Sequence, residues 1–219
     1  MTERHPIGPP GYEPAPSSVP LIRAQHVYLR PLRADDFESW RDVRTRSRAW
    51  LEPWESSHDH RIDLLLHSRA AFQQWCASWT RERELDVSYG FGLFVADDRF
   101  AGEISLGGVQ RGPYQTATIG YWIDRALAGK GYMTQGVLLL MYYAFENLGM
   151  HRVEAMIVPR NDASVRVAEK LTLRNEGTAV RFGEVRGTYE DHLRYAITAE
   201  EWAERRGELI RRFIVAAVR

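Results

Sequence analysis

Two hydrophobic periods, one typical of strands and one typical of helices, alternate along this chain. Alternating polar and apolar positions indicate half-buried strands, whereas apolar positions three and four residues apart indicate amphipathic helices. The predicted strands cover residues 26–32, 89–96, 99–109, 116–124, 151–158, 178–186 and 189–197, and the predicted helices cover residues 34–46, 61–80, 133–147, 161–171 and 199–218. This interleaved order predicts an α/β or mixed α+β fold, with helices on both faces of a central sheet.

The two ends of the chain differ in composition from its middle. Residues 1–20 contain six of the ten prolines, which predicts an extended N-terminal arm over residues 1–24. We expect residues 25–198 to form one domain and residues 199–219 to form an amphipathic helix.

The predicted C-terminal helix places Trp202, Leu209 and Phe213 on one face. Such a face can fold back on the domain, pack against a second chain, or lie on a membrane surface. We expect the helix to fold back on its own domain, because that is the commonest use of an apolar helical face. The chain is accordingly expected to be a monomer or a homodimer without a membrane partner.

The composition excludes several classes of function. Lys plus Arg and Asp plus Glu each number 29 among 219 residues, so a basic footprint for direct nucleic-acid binding is missing. Cys76 is the only cysteine, and a chain without internal disulfides fits a reducing cytoplasm. No apolar run reaches the length of a membrane span, and the N-terminus lacks the apolar core of a signal peptide. We therefore expect a cytoplasmic protein, and we expect no metal site.

A strand, a glycine loop and a helix follow one another between residues 116 and 147. Gly129 and Gly131 allow positive φ and close approach of a ligand to the backbone. The free N–H groups at the start of the following helix attract a phosphate, and Lys130 adds a cation. A plain tight turn is the alternative. The sequence has neither Gly-x-x-x-x-Gly-Lys-Ser/Thr nor Gly-x-Gly-x-x-Gly after a first strand, so a nucleoside triphosphatase or a dinucleotide-binding domain is not favoured.

This loop resembles the pyrophosphate loop of the Gcn5-related N-acetyltransferases, usually written Gln/Arg-x-x-Gly-x-Gly/Ala. Gly129 and Gly131 match its core, whereas its first position holds Ala126. The segments at 119–124, 50–54 and 189–192 are similar to the RimJ/RimL-like subfamily, which acetylates the N-termini of ribosomal proteins. The resemblance covers roughly residues 26–198.

The resemblance implies that acetyl-CoA is the donor and that CoA is the product. In this fold two neighbouring parallel strands splay apart and the pantetheine arm lies in the gap; the corresponding strands here are 116–124 and 151–158. The implied cofactor-binding residues are Tyr121, Trp122, Ile123, Gly129, Lys130, Gly131, Tyr132, Met133, Thr134, Asn161 and Ser164. Ordinary strand packing for the first three and a solvated Lys130 are the alternatives.

The family's catalytic groups are only partly matched. Ala168 stands at or near the position of a common tyrosine acid, so Ser164 is the candidate acid, with helix capping as its alternative. Met156 replaces a glutamate found in some members, so the base is sought in Glu103 or Glu184, although each is more often a surface carboxylate.

Specificity usually resides in loops, and we expect Trp50, Trp54, Glu55 and Tyr114 to bind the acceptor. The leading hypothesis is acetylation of a protein N-terminus, including that of a ribosomal protein. Acetylation of a small amine and acyl-CoA binding without catalysis remain alternatives.

Overall fold

The computed structural model of this protein describes residues 22–57, 61–95 and 97–215. Its strands form one sheet in the order β1-β2-β3-β4-β5-β6-β8-β7. The strands are β1 (Ile22–Arg23), β2 (Val27–Arg30), β3 (Tyr89–Val95), β4 (Phe100–Gln110), β5 (Thr116–Ile123), β6 (Arg152–Ile157), β7 (Arg174–Val185) and β8 (Thr188–Thr198). The predicted α/β fold with a mixed central sheet is confirmed, and most of the sheet is antiparallel.

Helices cover both faces of this sheet. They are α1 (Phe37–Arg46), α2 (Arg48–Leu51), α3 (Arg61–His67), α4 (Arg69–Glu84), α5 (Tyr132–Tyr142), α6 (Asp162–Lys170) and α7 (Ala199–Ile210). Short 3-10 turns cover Ala34–Asp36, Glu52–Trp54 and Arg125–Leu127, and π-helical turns cover Tyr143–Asn147 and Arg211–Val215.

Three predicted segments differ from the structure. The single helix expected over 61–80 is divided at Ser68, whose hydroxyl accepts a hydrogen bond from the Ala71 N–H at 3.1 Å and thereby starts a new helix. Residues 50–54, expected in a loop, form the end of α2 and a 3-10 turn. Residues 174–177, which lie between the predicted helix at 161–171 and the predicted strand at 178–186, already belong to β7.

Three predicted segments lie partly outside the described residues: most of the proline-rich arm, residues 58–60 and the last residues of the C-terminal helix.

The only parallel pair in the described sheet, β5 with β6, is short. It joins Thr116 to Arg152, Ala117 to Val153 and Thr118 to Glu154. Beyond these pairs, β5 keeps pairing with β4 and β6 keeps pairing with β8. Each strand follows its own antiparallel neighbour, so the sheet opens between them.

The two faces of the sheet carry separate cores. On one face α5 packs closely, because Gly136 brings the helix backbone near Leu93 and Ile104; an added Cβ there would lie 3.0 Å from a Leu93 methyl. On the other face α1 and α4 enclose an aromatic cluster in which Trp40 and Phe72 are fully buried, with ring centroids 5.2 Å apart. The cleft described below lies on this second face.

The C-terminal helix folds back on the first core. Trp202 is 2% exposed and stacks on Phe145, with ring centroids 5.4 Å apart. Its indole N–H donates to Glu146 at 2.7 Å, and Leu209 is buried in the same core. None of the described helices is both long and apolar enough to cross a bilayer.

We expect Trp202→Ala to lower the free energy of unfolding by about 3–5 kcal/mol, because it leaves a large cavity and removes a hydrogen-bond donor from Glu146. Urea denaturation measures this change. Tyr114→Ala, which truncates an aromatic side chain that is 64% exposed, should change stability by less than about 0.5 kcal/mol. Equal effects of the two substitutions would show that α7 contributes little to the core.

Candidate functional site

One large cleft starts where β5 and β6 separate and continues over the second face of the sheet towards α4. It encloses about 840 Å³. Its walls come from the loop before α5, from α6, from β4 and β5, and from the segment between α1 and α4. The sequence-predicted residues that line it are Trp50, Trp54, Glu55, Glu103, Tyr121, Trp122, Ile123, Gly129, Gly131, Tyr132, Met133, Thr134, Asn161 and Ser164.

The glycine loop has the backbone conformation that its sequence predicts. Gly129 has φ +78° and Gly131 has φ +83°, both in the left-handed region. Gly131 is the N-cap of α5, and the first helical hydrogen bond runs from the Gln135 N–H to the Gly131 carbonyl at 3.1 Å. The helix therefore provides no acceptor for the N–H groups of residues 132–134. Free N–H groups at a helix N-terminus form an anion site.

Asp124, which carries no predicted role in the sequence, fixes the start of this loop. Its buried carboxylate accepts hydrogen bonds from Arg46 at 2.5 Å, from the Ser47 hydroxyl at 3.1 Å and from the Ala126 N–H at 3.1 Å. Burial alone would raise the pKa of Asp124, but these donors outweigh it and lower the pKa. A permanent charge thus ties the loop to the end of α1.

Two cations on α6 line the cofactor end of the cleft. They are Arg166 and Lys170, one helical turn apart. Neither side chain forms an ion pair or hydrogen bond with any other residue in the described part of the chain. Their i, i+4 spacing is a signal by which the sequence could have identified them. Lys130 is exposed in the loop and does not line the cleft.

The start of α6 faces the opening between β5 and β6. The Asn161 side chain caps the helix by accepting from the Ser164 N–H at 3.2 Å. The Tyr121 hydroxyl donates to the Ser164 carbonyl at 3.3 Å. Burial raises the pKa of Tyr121 to about 12, so this phenol stays protonated. Helix capping explains the position of the Asn161 side chain. Ser164 lines the cleft.

Glu103 lies on the floor of the cleft, in the middle of the sheet. On β4 it stands between Gly92 of β3 and Trp122 of β5. Burial raises its pKa to about 7, although the indole N–H of Trp40, the charge of Arg44 and the Trp122 side chain act in the opposite direction. A carboxyl with this pKa can both accept and release a proton near neutral pH.

Glu184 lies outside the cleft, which corrects its assignment as a candidate base. The hydroxyls of Ser56 and Ser57 and the N–H of Gly187 all donate to its carboxylate. These hydrogen bonds, that of Ser56 foremost, lower its pKa to about 2. A carboxylate so acidic is a weak base. Its contacts indicate a structural role instead, because they fasten the β7–β8 turn to the segment after Trp54.

The acceptor half of the cleft is walled by aromatic side chains. Arg44 pairs with Glu55 and lies 4.9 Å from the Trp122 ring centroid, and Arg160 lies 4.8 Å from that of Trp54.

Three further aromatic residues show where the acceptor half of the cleft ends. Trp75 and Trp79, whose i, i+4 spacing on α4 is typical of core residues, are only partly buried and also line the cleft. Tyr114 is exposed in the connection between β4 and β5, so it is not among the cleft-lining residues.

The chain belongs to the GNAT acetyltransferase family, since the acetyltransferase (GNAT) domain profile matches residues 26–174. It is 37% identical to a probable N-acetyltransferase, YjcK, of Bacillus subtilis, over 81% of this chain and 96% of that protein. It is 27% identical to the ribosomal protein uS5-alanine N-acetyltransferase of Escherichia coli, over 85% of this chain and 95% of that protein. The solved structure of Mycobacterium smegmatis RimJ in complex with CoA-disulfide matches with a TM-score of 0.78 and 31% identity, over 87% of this chain and 88% of that chain. The resemblance in the sequence is thereby confirmed, and this protein is an N-acetyltransferase of that family.

The raised pKa of Glu103 links stability to pH. Between about pH 4.5 and pH 7 the folded protein holds a proton that the unfolded chain has released. The stabilisation from Glu103 is thus complete below this window and is lost as the pH rises through it. We expect the free energy of unfolding of Glu103→Gln, relative to wild type, to increase across this window in urea titrations. Glu84→Gln, which removes an exposed carboxylate at the end of α4, is the control. A constant difference for Glu103→Gln would contradict the raised pKa.

Proposed function

We propose that this protein acetylates the N-terminal α-amine of a polypeptide, with acetyl-CoA as donor and Glu103 as the base. The observation that carries the proposal is the position of Glu103: a carboxyl with pKa about 7 on the floor of a cleft whose other end is built for a phosphate. The uS5-alanine N-acetyltransferase and RimJ, named above, support the same class of acceptor.

The described residues fit the cofactor. The N–H groups at the start of α5 and the side chains of Arg166 and Lys170 supply donors and positive charge for the phosphates. The part of β5 beyond Thr118 has lost its parallel partner, so its edge can pair with the amides of a pantetheine arm as an added strand would. Tyr121, Trp122 and Ile123 lie on this part of β5.

When bound, acetyl-CoA supplies an acetyl group activated as a thioester; the amine nitrogen bonds to the carbonyl carbon, the C–S bond breaks, and CoA leaves as the thiol. Glu103 takes the proton from the incoming ammonium, directly or through a water. Ser164, at the opening between β5 and β6, is the donor that we assign to the departing sulfur, and it regains a proton from the nitrogen as the amide forms. Tyr121 holds the Ser164 backbone in place through its carbonyl.

Proton transfer to Glu103 favours an α-amine over a lysine side chain. A peptide α-ammonium has a pKa of about 7.7–8.0 and a lysine ammonium about 10.4. Transfer to a carboxylate with pKa about 7 is therefore uphill by about 1 unit for the first and by about 3.4 units for the second. The difference costs the lysine reaction roughly 3.4 kcal/mol. The same cost applies to most aliphatic small amines.

Thiol release from acetyl-CoA, measured with peptides that differ in their first residue, tests the proposal. We expect turnover on one class of free N-termini and none on the same peptides with a blocked N-terminus and an internal lysine. Because the base must be deprotonated, kcat/KM should rise about tenfold per pH unit below about pH 7 and then level off.

Matched variants assign the residues in the same assay. Glu103→Gln should lower kcat by about 10²-fold or more and abolish the pH-dependent rise. Ser164→Ala should also lower kcat, whereas Glu184→Gln should keep kcat and the pH midpoint. Faster turnover on spermidine or free amino acids than on every peptide would contradict the proposal, and so would full activity of Glu103→Gln.

A further inference from the structure

Small residues form a trough on the sheet that leads away from Glu103. The register places Gly90, Ser105 and Gly120 side by side across β3, β4 and β5, and Gly107 beside Thr118 in the next row. Gly120 is exposed, and Ser105, Gly107 and Thr118 are only half-buried. An extended chain can therefore lie over Ser105, Gly107, Thr118 and Gly120, beside Gly90, which the Trp79 ring covers.

Helix α4 forms one wall of the trough. The Trp79 ring lies against the backbone of Gly90, where a Cβ would stand 2.3 Å from the ring. Trp75 continues the wall, and its ring centroid lies 4.5 Å from that of Trp79. Glu82, one turn after Trp79, and Ser88, at the start of β3, line the end of the cleft on this side.

The Glu82 side chain has no hydrogen-bond or ion-pair partner among the residues that the structure describes. The other two carboxylates among the described residues of the cleft have partners: Glu55 pairs with Arg44, and Glu103 accepts from Trp40. A free carboxylate beside a tryptophan is a suitable place for a cation.

Among the described residues that line the cleft, the charges without a partner are separated by sign. The positive Arg166 and Lys170 lie at the cofactor end, and the negative Glu82 lies at the acceptor end. The cleft-lining cations near Glu103, Arg44 and Arg61, already have partners. The positive end of the cleft is complementary to an anionic acetyl donor. The negative end is complementary to an acceptor that carries a positive charge in addition to its reacting amine.

We propose that Glu82, with Ser88 and Trp79, binds a second cationic group of the acceptor; this inference rests on the proposed function. Two rows of the trough separate Glu103 from this end, and each row spans about 6.8 Å along a strand. The second cation therefore binds roughly 14 Å from the reacting amine. An extended peptide advances about 3.3–3.6 Å per residue, so a lysine or arginine at its second or third position reaches Glu82.

Peptides with one N-terminal residue and with lysine, norleucine or glutamate at position two or three test this subsite. In the wild type, the lysine peptide should have a KM about five- to tenfold below that of the norleucine peptide, with similar kcat. Glu82→Gln should remove this advantage and leave the norleucine peptide unchanged. Glu84→Gln, two residues further along α4 and outside the cleft, should alter neither value, and Glu82→Lys should favour the glutamate peptide. A diamine compared with a monoamine of equal length tells whether a small molecule can supply the same second cation.

Equal KM values for the lysine and norleucine peptides in the wild type would overturn the subsite. An equal loss on all acceptors in Glu82→Gln would also overturn it, because it would show a structural role. Calorimetric binding of the same peptides to the CoA-bound protein makes this comparison without turnover. If the peptides bind in the expected order but none is acetylated, the proposed function fails and the cationic subsite stands.

Discussion

The brief pairing of β5 with β6 is the constraint on which the site depends. After three residue pairs the two strands follow their antiparallel neighbours, β4 and β8, in different directions. The gap lies inside the sheet, so it is bordered by backbone rather than by loops. The glycine loop before α5 and the start of α6 both face it. The cofactor site is therefore a property of sheet topology, to which the side chains add charge.

The surface of the sheet beside the gap carries mostly small side chains. Glycine and serine occupy neighbouring positions of β3, β4 and β5, and the larger side chains of Glu103 and Trp122 stand in the adjacent row, between the cofactor and acceptor halves of the cleft. Desolvation of a carboxyl in this place raises its pKa towards neutrality, and Trp40 and Arg44 limit the rise. The same carboxyl on an open surface would be too acidic to compete for the proton of an ammonium. Position, more than residue type, makes Glu103 a candidate base.

The sequence predicted correctly those elements whose conformation depends on residues close together in the chain. Hydrophobic periods located β3, β4, β5, α5 and α6, and the two glycines located the left-handed loop, because side-chain spacing and φ are properties of neighbouring residues. The division of the helix at 61–80 was missed because Ser68 is a good N-cap inside an otherwise continuous period. The contacts that decide which glutamate belongs to the site join distant residues, and they leave no signal in the local sequence. Ser56 and Glu184 are 128 positions apart, and Trp40 and Glu103 are 63 apart. Glu103 and Glu184 looked alike in the sequence, yet in the fold one accepts a hydrogen bond from Trp40 inside the cleft, whereas two serines outside the cleft donate to the other. The polypeptide acceptor and the cytoplasmic location stay predictions.

The titration of Glu103 itself tests the central claim most directly. Carbon-13 NMR of the protein labelled at glutamate side-chain carboxyls, with Glu103→Gln to assign the resonance, gives the pKa of this group without any assumption about the acceptor. A midpoint near the value of about 7 is the predicted result and makes Glu103 a competent base at neutral pH. A midpoint near 4.5, the ordinary value for glutamate, would contradict it, because the carboxylate would then be too weak a base for the ammonium of a peptide.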